Sequence, residues 1–235
     1  MEQEVIRIDL QGVNCYLLKA KDKFILIDTG GHLTVDKDFT NRRECLDKQL
    51  EKVGCSVGKL KLIILTHGDN DHTANAAYIR DKYDAKIAMH SADLTLVQNP
   101  NVEMAMESFR YRSLAYKIIF TLMKNLIKKI CVKTLNDFER FTPDIYVEDG
   151  YKLDEYGFDG SIIHTPGHTD GSIGILMLNG DFIAGDTFAN MKKPDVAVNA
   201  KDFNQLDSSI NRLKSLGIKK IYPGHGEPFE ASELR

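Results

Sequence analysis

The first fifty residues alternate between apolar and polar positions in a way that predicts short strands followed by a helix. Three β-like runs come first, at Val5–Leu10, Asn14–Ala20 and Phe24–Asp28. The segment Phe39–Val53 then carries apolar side chains at helical spacing and ends at Gly54, a residue typical of a helix C-terminus. The opening pattern therefore predicts a β-meander followed by one helix.

The remainder of the chain continues with strands and helices. Before residue 100 the pattern predicts a buried strand, a helix and a further strand, at about Lys61–Leu65, Thr73–Tyr83 and Ala85–Met89. After residue 142 it predicts mostly strands, at Ile145–Val147, Tyr151–Leu153, Ser161–Thr165, Ile173–Leu178, Asp181–Ala184 and Lys219–Tyr222, with one helix at about Asn204–Leu216. This order indicates two similar β-rich halves with helices outside, rather than one doubly wound parallel sheet.

A segment at about 101–141 separates the two halves and has a different pattern. Between Arg110 and Lys133 there are seven basic residues and no acidic one, interleaved with apolar residues three and four positions apart. This predicts one or two basic amphipathic helices, in the form of a helical insert. Four interpretations stay open: a helix on the core with a solvated basic face, a lid, a homodimer contact, and a membrane-surface or anion-attracting patch. We favour a lid or a homodimer contact.

Composition narrows the class of protein. With 235 residues, of which 43% are hydrophobic and 28% charged, the chain can bury a substantial core, and we expect a single domain over residues 1–235. The net charge of −3 argues against nucleic acid as a partner. No apolar run reaches the roughly eighteen residues that a membrane span needs. The N-terminus lacks the pattern of a secretory signal and the four cysteines are scattered, so we expect reduced thiols and a cytoplasmic location.

The most informative stretch directly follows the buried strand at Lys61–Leu65. His67, Asp69, Asp71 and His72 lie within six residues, between that strand and the next predicted helix. Each of the four side chains can donate a lone pair to a metal ion, and rigid elements on both sides would hold them in place. The stretch therefore predicts a metal site; the alternative is a polar loop with ordinary surface histidines.

Three later loops each offer one further metal ligand at the end of a predicted strand. These candidates are His168 in TPGHTDGS, Asp186 in AGDTF and His225 in PGHGEP, and each stands close to a glycine that lets the backbone turn sharply. With the first loop they make four histidines and three aspartates. That set is large enough for two adjacent metal ions that share a carboxylate.

Other polar residues near these motifs are not expected to bind metal. Asp28 is either a carboxylate that supports the site or a simple turn residue, and the sequence favours neither. We expect His32 to be exposed after its glycine pair and His90 to be a helix N-cap or loop residue. His164 is expected to be a strand residue or a hydrogen-bond donor beside the site.

The order of the motifs LIDTG, THGDNDH, TPGHT, GDT and PGHG resembles that of the metallo-β-lactamase superfamily along nearly the whole chain. The resemblance implies an α/β (α+β) fold, a four-layer αββα sandwich with metals at the joined edges of its two sheets. It also implies that His67 and His168 bind the first metal and that Asp186 bridges the two metals. The second metal would be bound by Asp71, His72 and His225.

One position departs from the family pattern. The family's first loop reads HxHxDH, and Asp69 stands where its second histidine belongs. The shorter carboxylate binds the first metal only if that metal shifts towards it. If it does bind, the charges of two divalent cations, three aspartates and one hydroxide cancel, and hard oxygen ligands move the metal preference away from zinc. We therefore expect two divalent metals, with zinc first and iron or manganese as the alternatives that Asp69 favours, and a weaker first position.

The resemblance implies a metal-dependent hydrolase that acts on a small molecule. A metal-bound hydroxide would cleave an ester, thioester, lactone or phosphoester bond, and Asp71 and Asp186 would be the catalytic carboxylates. Two alternatives stay open. One is an iron-dependent redox enzyme, either a dioxygenase or similar to oxygen or nitric-oxide reductases, and the other is a non-catalytic metal-binding sensor. The sequence does not identify the substrate.

Overall fold

The computed structural model describes residues 3–31 and 42–234. The strands are β1 (Glu4–Asp9), β2 (Asn14–Ala20), β3 (Lys23–Ile27), β4 (Leu60–Ile64), β5 (Lys86–Met89), β6 (Ile145–Tyr146), β7 (Gly160–His164), β8 (Ile173–Met177), β9 (Asp181–Asn190), β10 (Asp195–Val196), β11 (Lys220–Gly226) and β12 (Phe229–Glu230). The helices are α1 (Arg42–Lys52), α2 (Asn70–Thr73), α3 (Ala76–Tyr83), α4 (Leu94–Gln98), α5 (Val102–Glu107), α6 (Leu114–Asn136) and α7 (Phe203–Leu213). His32 and the start of the predicted helix at Phe39 lie outside the described residues.

Across the described residues, the strands form two mixed sheets, and β6, which follows the segment 101–141, joins the sheet of the first half. The first sheet has the order β1-β2-β3-β4-β5-β6, with an antiparallel meander at β1–β3 and parallel pairing from β3 to β6. The second has the order β12-β11-β9-β8-β7, with β10 paired to β9. In this second sheet β9 and β11 run parallel; Asp186 lies in the middle of β9, and His225 lies near the carboxyl end of β11.

Three groups of buried apolar residues hold the layers together. Between the sheets, Ile25 and Ile64 of the first pack with Ile162, Ile175 and other residues of the second. A second cluster joins the outer face of the first sheet to α1 and α3, and a third joins the outer face of the second sheet to α7. A sheet that is apolar on both faces needs cover on both, so the helices lie outside. The predicted αββα sandwich is confirmed.

Parallel strands bring the predicted motifs to one edge of the molecule. The loops after β3, β4 and β5 begin at the carboxyl ends of neighbouring parallel strands, and these ends carry Asp28, His67 and His90. On the second sheet the pairing of β11 with β9 shifts register between Tyr222 and Pro223 and again before His225. Such irregularities change the direction of a side chain from the one that the regular alternation of a strand would give it.

Several element boundaries differ from the sequence prediction. The predicted strand Tyr151–Leu153 is wrong, since only Lys152 forms a single bridge to Ser161. The segment from Asn70 to Thr73 is already helical, so Asp71 and His72 lie on α2 rather than in a loop. Strand β9 continues past Ala184, and Asp186 therefore lies within it.

The segment 101–141 forms α5 and one long helix, α6, as the amphipathic pattern predicted. Among the described residues, no helix has both the length and the apolar character that crossing a membrane would require.

Candidate metal centre

The structure brings all seven predicted ligands into one cluster at the edge where the two sheets meet. Their ligand atoms fall into three overlapping groups, and within each group these atoms lie within 4.8 Å of one another. The groups are His67, Asp69 and His168; His67, His72 and Asp186; and Asp71, His72 and His225. Side chains from residues 67 to 225 therefore converge as the motif order predicted.

The first of these groups consists of His67, Asp69 and His168. Asp69 Oδ2 lies 3.2 Å from His168 Nε2 and 3.8 Å from His67 Nε2. The two imidazole rings are nearly perpendicular, with centroids 4.9 Å apart. Asp69 thus reaches the space between the two histidines despite its shorter side chain.

Asp186 lies between the two ends of the cluster. Its Oδ2 atom is 3.2 Å from His225 Nε2 and 3.7 Å from His168 Nε2, and its Oδ1 atom is 3.3 Å from His72 Nε2. The remaining carboxylate, Asp71, has Oδ2 3.6 Å from His225 Nε2 and 3.8 Å from His72 Nε2. A carboxylate that reaches histidines at both ends of the cluster, as Asp186 does, has the position that a bridging ligand needs.

Hydrogen bonds behind the rings fix the orientation of the first two histidines. Thr66 Oγ1 donates its only proton to Asp28 Oδ2 (2.7 Å), so it accepts from His67 Nδ1 (2.9 Å). Asp28 Oδ2 also accepts from His72 Nδ1 (2.9 Å). Each neutral ring therefore carries its proton on Nδ1 and leaves the Nε2 lone pair facing the cluster.

Backbone carbonyls do the same for the other two histidines. His168 Nδ1 donates to the Asn199 carbonyl (3.1 Å), and His225 Nδ1 donates to the Gly12 carbonyl. All four rings thus present Nε2 to one space. This tautomer is the one that binds a metal through Nε2, and an outward hydrogen bond on Nδ1 is its usual support.

Two observations show that the cluster fits metal ions. Among the described residues, His67 Nε2 and Asp186 Oδ1 are buried without a hydrogen bond, a costly arrangement unless a cation occupies the space between them. Gly224 passes so close that a Cβ atom there would lie 2.1 Å from Asp186 Oδ1. Imidazole nitrogens and carboxylate oxygens are ligands suited to zinc, iron and manganese.

The charges of the cluster are strongly coupled. Burial lowers the pKa of His67 to about 3, which keeps that ring neutral. Although burial opposes it, the hydrogen bond with Asp69 and the charge of Asp186 raise the pKa of His168 to about 9. Against the same opposition, Asp186 and Asp71 raise the pKa of His225 to about 9. Bound cations would take the place of these protons beside the carboxylates.

One important residue was not predicted from the sequence. The buried Asp93 carboxylate accepts hydrogen bonds from the backbone N–H of Gly68 (2.8 Å) and of Gly171 (2.7 Å), and from the Thr169 hydroxyl (2.7 Å). It therefore ties the loop after His67 to the loop after His168. In the sequence, Asp93 stands out only as an acidic residue shortly after the N-cap residue His90. That position does not indicate which distant residues its carboxylate contacts.

Asp28, His90 and His164, which were not expected to bind metal, each make other contacts. Asp28 supports His72 and Thr66 and adopts a φ of 59°, an uncommon conformation for a residue other than glycine. His90 is the N-cap of a short helical turn, where its ring accepts from Ala92 N–H (3.2 Å), as predicted. His164 ends β7, stacks on the His90 ring with centroids 4.1 Å apart, and contacts the Asp170 carbonyl.

Comparisons with known proteins find similarity along most of the chain. The profile of the family described as the metallo-beta-lactamase superfamily matches residues 8–225. A probable metallo-hydrolase of Methanocaldococcus jannaschii is 31% identical over 218 residues, which is 91% of this chain and 87% of that protein.

A hydroxyacylglutathione hydrolase of Francisella philomiragia is 38% identical over 92 residues, 38% of this chain and 36% of that one. A metallo-beta-lactamase family protein from Thermus thermophilus superposes with a TM-score of 0.69 at 22% identity, covering 97% of this chain and 74% of that chain, which supports the fold.

Proposed function

The chain belongs to the metallo-β-lactamase superfamily, and on that premise we propose that it is a two-metal hydrolase of a small molecule. The bond cleaved is an ester, thioester, lactone or phosphoester. The observation that carries the proposal is the convergence of four imidazole Nε2 atoms with the carboxylates of Asp69, Asp71 and Asp186 in one cluster. A metal-dependent hydrolase is also what the family match supports in general.

The geometry suggests how this chain would hold two cations. His67, Asp69 and His168 would bind the first, and Asp71, His72 and His225 the second, with Asp186 between them. When bound, divalent cations lower the pKa of a water molecule and polarise the bond that is cleaved. Asp28 and Thr66 keep two of the rings in the tautomer that this binding requires.

The two proposed catalytic carboxylates differ in exposure. The Asp186 side chain is mostly buried, and His225 and His72 hold its pKa well below the usual range against the opposing effect of burial. Asp186 would therefore stay ionised and position the attacking water. The Asp71 side chain is more than half exposed. Asp71 can orient a substrate or water at the open side of the cluster.

We propose that the first position holds its metal less tightly than the second, or prefers iron or manganese over zinc. Asp69 supplies oxygen and a negative charge where an imidazole would supply nitrogen and no charge. Its Oδ1 atom also accepts a hydrogen bond from Ser108 (3.2 Å), so Oδ2 is the atom left to bind a cation. Zinc at both positions remains the first expectation for the family.

We place the protein in the cytoplasm, with a small molecule as its substrate and without nucleic acid as a partner. All four cysteines are free thiols, which agrees with a reducing compartment. The homodimer contact predicted for the segment 101–141 stays a prediction, which light scattering after size-exclusion chromatography tests.

The decisive experiment measures metal content after aerobic and anaerobic purification, and then assays an ester, lactone, thioester and phosphodiester panel on each metal form. His67→Ala and Asp186→Ala should abolish turnover, while His90→Asn, which keeps a capping side chain outside the cluster, should retain it. Turnover that survives in either cluster variant would reject the proposal. Colour with oxygen uptake would support the redox alternative instead, and tight ligand binding without turnover would support the sensor.

A further inference from the structure

Helix α6 presents an apolar stripe to the surroundings of the molecule. Within this 23-residue helix Cys131 is the only fully buried residue among those described. Large apolar side chains on the outer side are exposed, and four of them recur at every fourth position: Leu114, Ile118, Leu122 and Leu126. Leu122 is 81% exposed. Apolar side chains at this spacing form a continuous stripe along a helix.

Positive charge runs beside the stripe. One side of α6 is lined by Lys117, Lys124 and Lys128, because Lys124 follows Lys117 by about two helical turns and Lys128 follows Lys124 by about one. Lys129 is a further exposed cation on the same helix. In the part of the chain that the structure describes, no carboxylate lies within salt-bridge distance of these four lysines. By contrast, the Arg112 guanidinium just before the helix pairs with Asp207 at 2.9 Å. These four lysines are therefore available to an external partner.

The inner side of the same helix packs on the segment just before it. Phe120 stacks on Phe109 with ring centroids 5.9 Å apart, and Ser108, next to Phe109, donates a hydrogen bond to Asp69 Oδ1 (3.2 Å). Cys131 is buried on this side of α6. Helix α6 therefore lies beside the segment that contacts the metal cluster, with its apolar stripe and its lysines exposed.

We propose that α6 docks the protein on the surface of a membrane that contains anionic lipids. A second copy of the chain would cover the apolar stripe, but its α6 carries no carboxylate to meet the lysines. An anionic bilayer surface offers both an apolar layer for the leucines and negative headgroups for the lysines. In that position α6 lies flat, without crossing the bilayer, and the neighbouring segment that contacts Asp69 is held close to the lipid surface.

The direct test is co-sedimentation of the full-length, metal-loaded protein with lipid vesicles. Binding to vesicles of phosphatidylcholine with phosphatidylglycerol should exceed binding to phosphatidylcholine alone by roughly tenfold or more, since each lysine near an anionic surface adds to the affinity. High salt should weaken this binding, because the attraction between the lysines and the headgroups is screened. Equal binding to both vesicle types, or no binding to either, would overturn the proposal.

Two pairs of variants separate the helix from the rest of the surface. Leu122→Glu should abolish binding, whereas Leu178→Glu, at a turn residue that is 83% exposed, should bind as the wild type does. Lys124→Glu with Lys128→Glu should reduce binding to anionic vesicles at least roughly tenfold. The same charge change at the exposed Lys59 and Lys152 should have little effect. Circular dichroism and metal content would verify that every variant is folded, and an equal loss in the control variants would contradict the proposal.

Light scattering after size-exclusion chromatography tests the competing partner. A wild-type dimer that Leu122→Glu converts to a monomer, in a protein that does not bind anionic vesicles, would assign the stripe to a second copy and overturn the lipid proposal. A monomer that binds vesicles through α6 would support it. Neither result depends on whether the hydrolase panel finds a substrate.

Discussion

Asp69 is the residue at which we expect this cluster to differ most from the family pattern. Its Oδ2 atom lies 3.2 Å from His168 Nε2, so the substitution leaves a potential ligand in place rather than a gap. The change is one of charge and ligand type: a carboxylate replaces a neutral imidazole, and the net positive charge that two cations bring to the cluster falls by one. The metal content of the first position should therefore depend on this single side chain.

Replacing Asp69 with histidine should increase zinc retention. Asp69→His supplies the imidazole of the family pattern, and a nitrogen ligand suits zinc better than iron or manganese. Mass spectrometric metal analysis should find retained zinc rising from about one towards about two ions per chain. Asp69→Asn removes the charge without adding an imidazole and should not raise it. Wild-type protein that already holds two tight zincs from a mixed-metal medium would contradict the prediction.

The role of Asp93 could not be predicted from the sequence, unlike that of the metal-ligand candidates in the first loop. His67, Asp69, Asp71 and His72 could be predicted because they lie together in the sequence, with the pattern of a metal-binding loop. Asp93 accepts hydrogen bonds from Gly68 and Gly171, which are 25 and 78 positions away. A contact between distant glycine amides and a carboxylate depends on the folded chain, and no local pattern encodes it.

Replacing Asp93 with asparagine should destabilise the protein by about 1–3 kcal/mol, because one amide group cannot accept all three hydrogen bonds at this buried position. The loops that carry His67 and His168 would loosen, and metal affinity should fall by roughly 10–100-fold. Urea unfolding and metal titration measure the two effects. Asp22→Asn, at an exposed hairpin position, serves as the control. A stable Asp93→Asn protein with normal metal affinity would show that Asp93 does not position these loops.

At the scale of elements, the sequence predicted those whose apolar pattern is long and regular. Strands β2, β3 and β8 and helix α7 match their predicted segments within a few residues, because the core selects the same apolar positions that the pattern shows. The prediction was wrong at Tyr151–Leu153, which makes backbone hydrogen bonds to β7 at Tyr151 and Leu153 but forms only one bridge, between Lys152 and Ser161. Short runs carry too little periodicity to separate a strand from an extended loop.

The hydrogen bonds that Asp149 accepts from α7 and β7 predict a small pH dependence of stability. Asp149 accepts from Arg212 Nη2 (2.8 Å) and from the His164 N–H (2.9 Å), and the hydrogen bond with Arg212 lowers its pKa. A carboxyl group whose pKa is lower in the folded state adds stability above its unfolded pKa. That stability is lost as the pH falls through the folded-state pKa.

The variant Asp149→Asn should therefore lose stability at neutral pH and match the wild type in strong acid. Both partners are partly exposed, so the loss should be below about 1 kcal/mol. Urea midpoints measured from neutral pH down into the acid range would show the two curves converging. Curves that stay parallel over the whole range would show that the ion pair has no part in the stability, and Asp22→Asn again provides the control.

At the scale of the whole molecule, the motif order predicted the two-sheet sandwich, because the family resemblance implied that fold. It did not predict that β6, which follows the helical insert, joins the first sheet. How the two halves are joined could not be predicted. Asn14 of β2 is buried, and its Nδ2 atom donates to the carbonyls of Pro223 (2.9 Å) and Gly226 (2.6 Å) in β11. His225 lies between these two carbonyls, and its ring donates to Gly12, on the first half. One metal ligand is therefore positioned by both sheets at once.

The hydrogen bonds of Asn14 to β11 lead to a prediction for the variant Asn14→Ala. Asn14→Ala removes the donor to Gly226 and the acceptor for Arg7 Nε (2.9 Å), and should cost about 1–3 kcal/mol in the free energy of unfolding. Because the strand that carries His225 would be less firmly held, the second metal should also bind more weakly. Tyr16→Phe is the matched variant: it removes one hydrogen bond to Pro223 (2.7 Å), and Asn14 still donates to that carbonyl. Tyr16→Phe should thus lose stability but keep the second metal. If metal titration finds the same affinity in both variants and the wild type, the hydrogen bonds of Asn14 stabilise the sandwich without positioning His225.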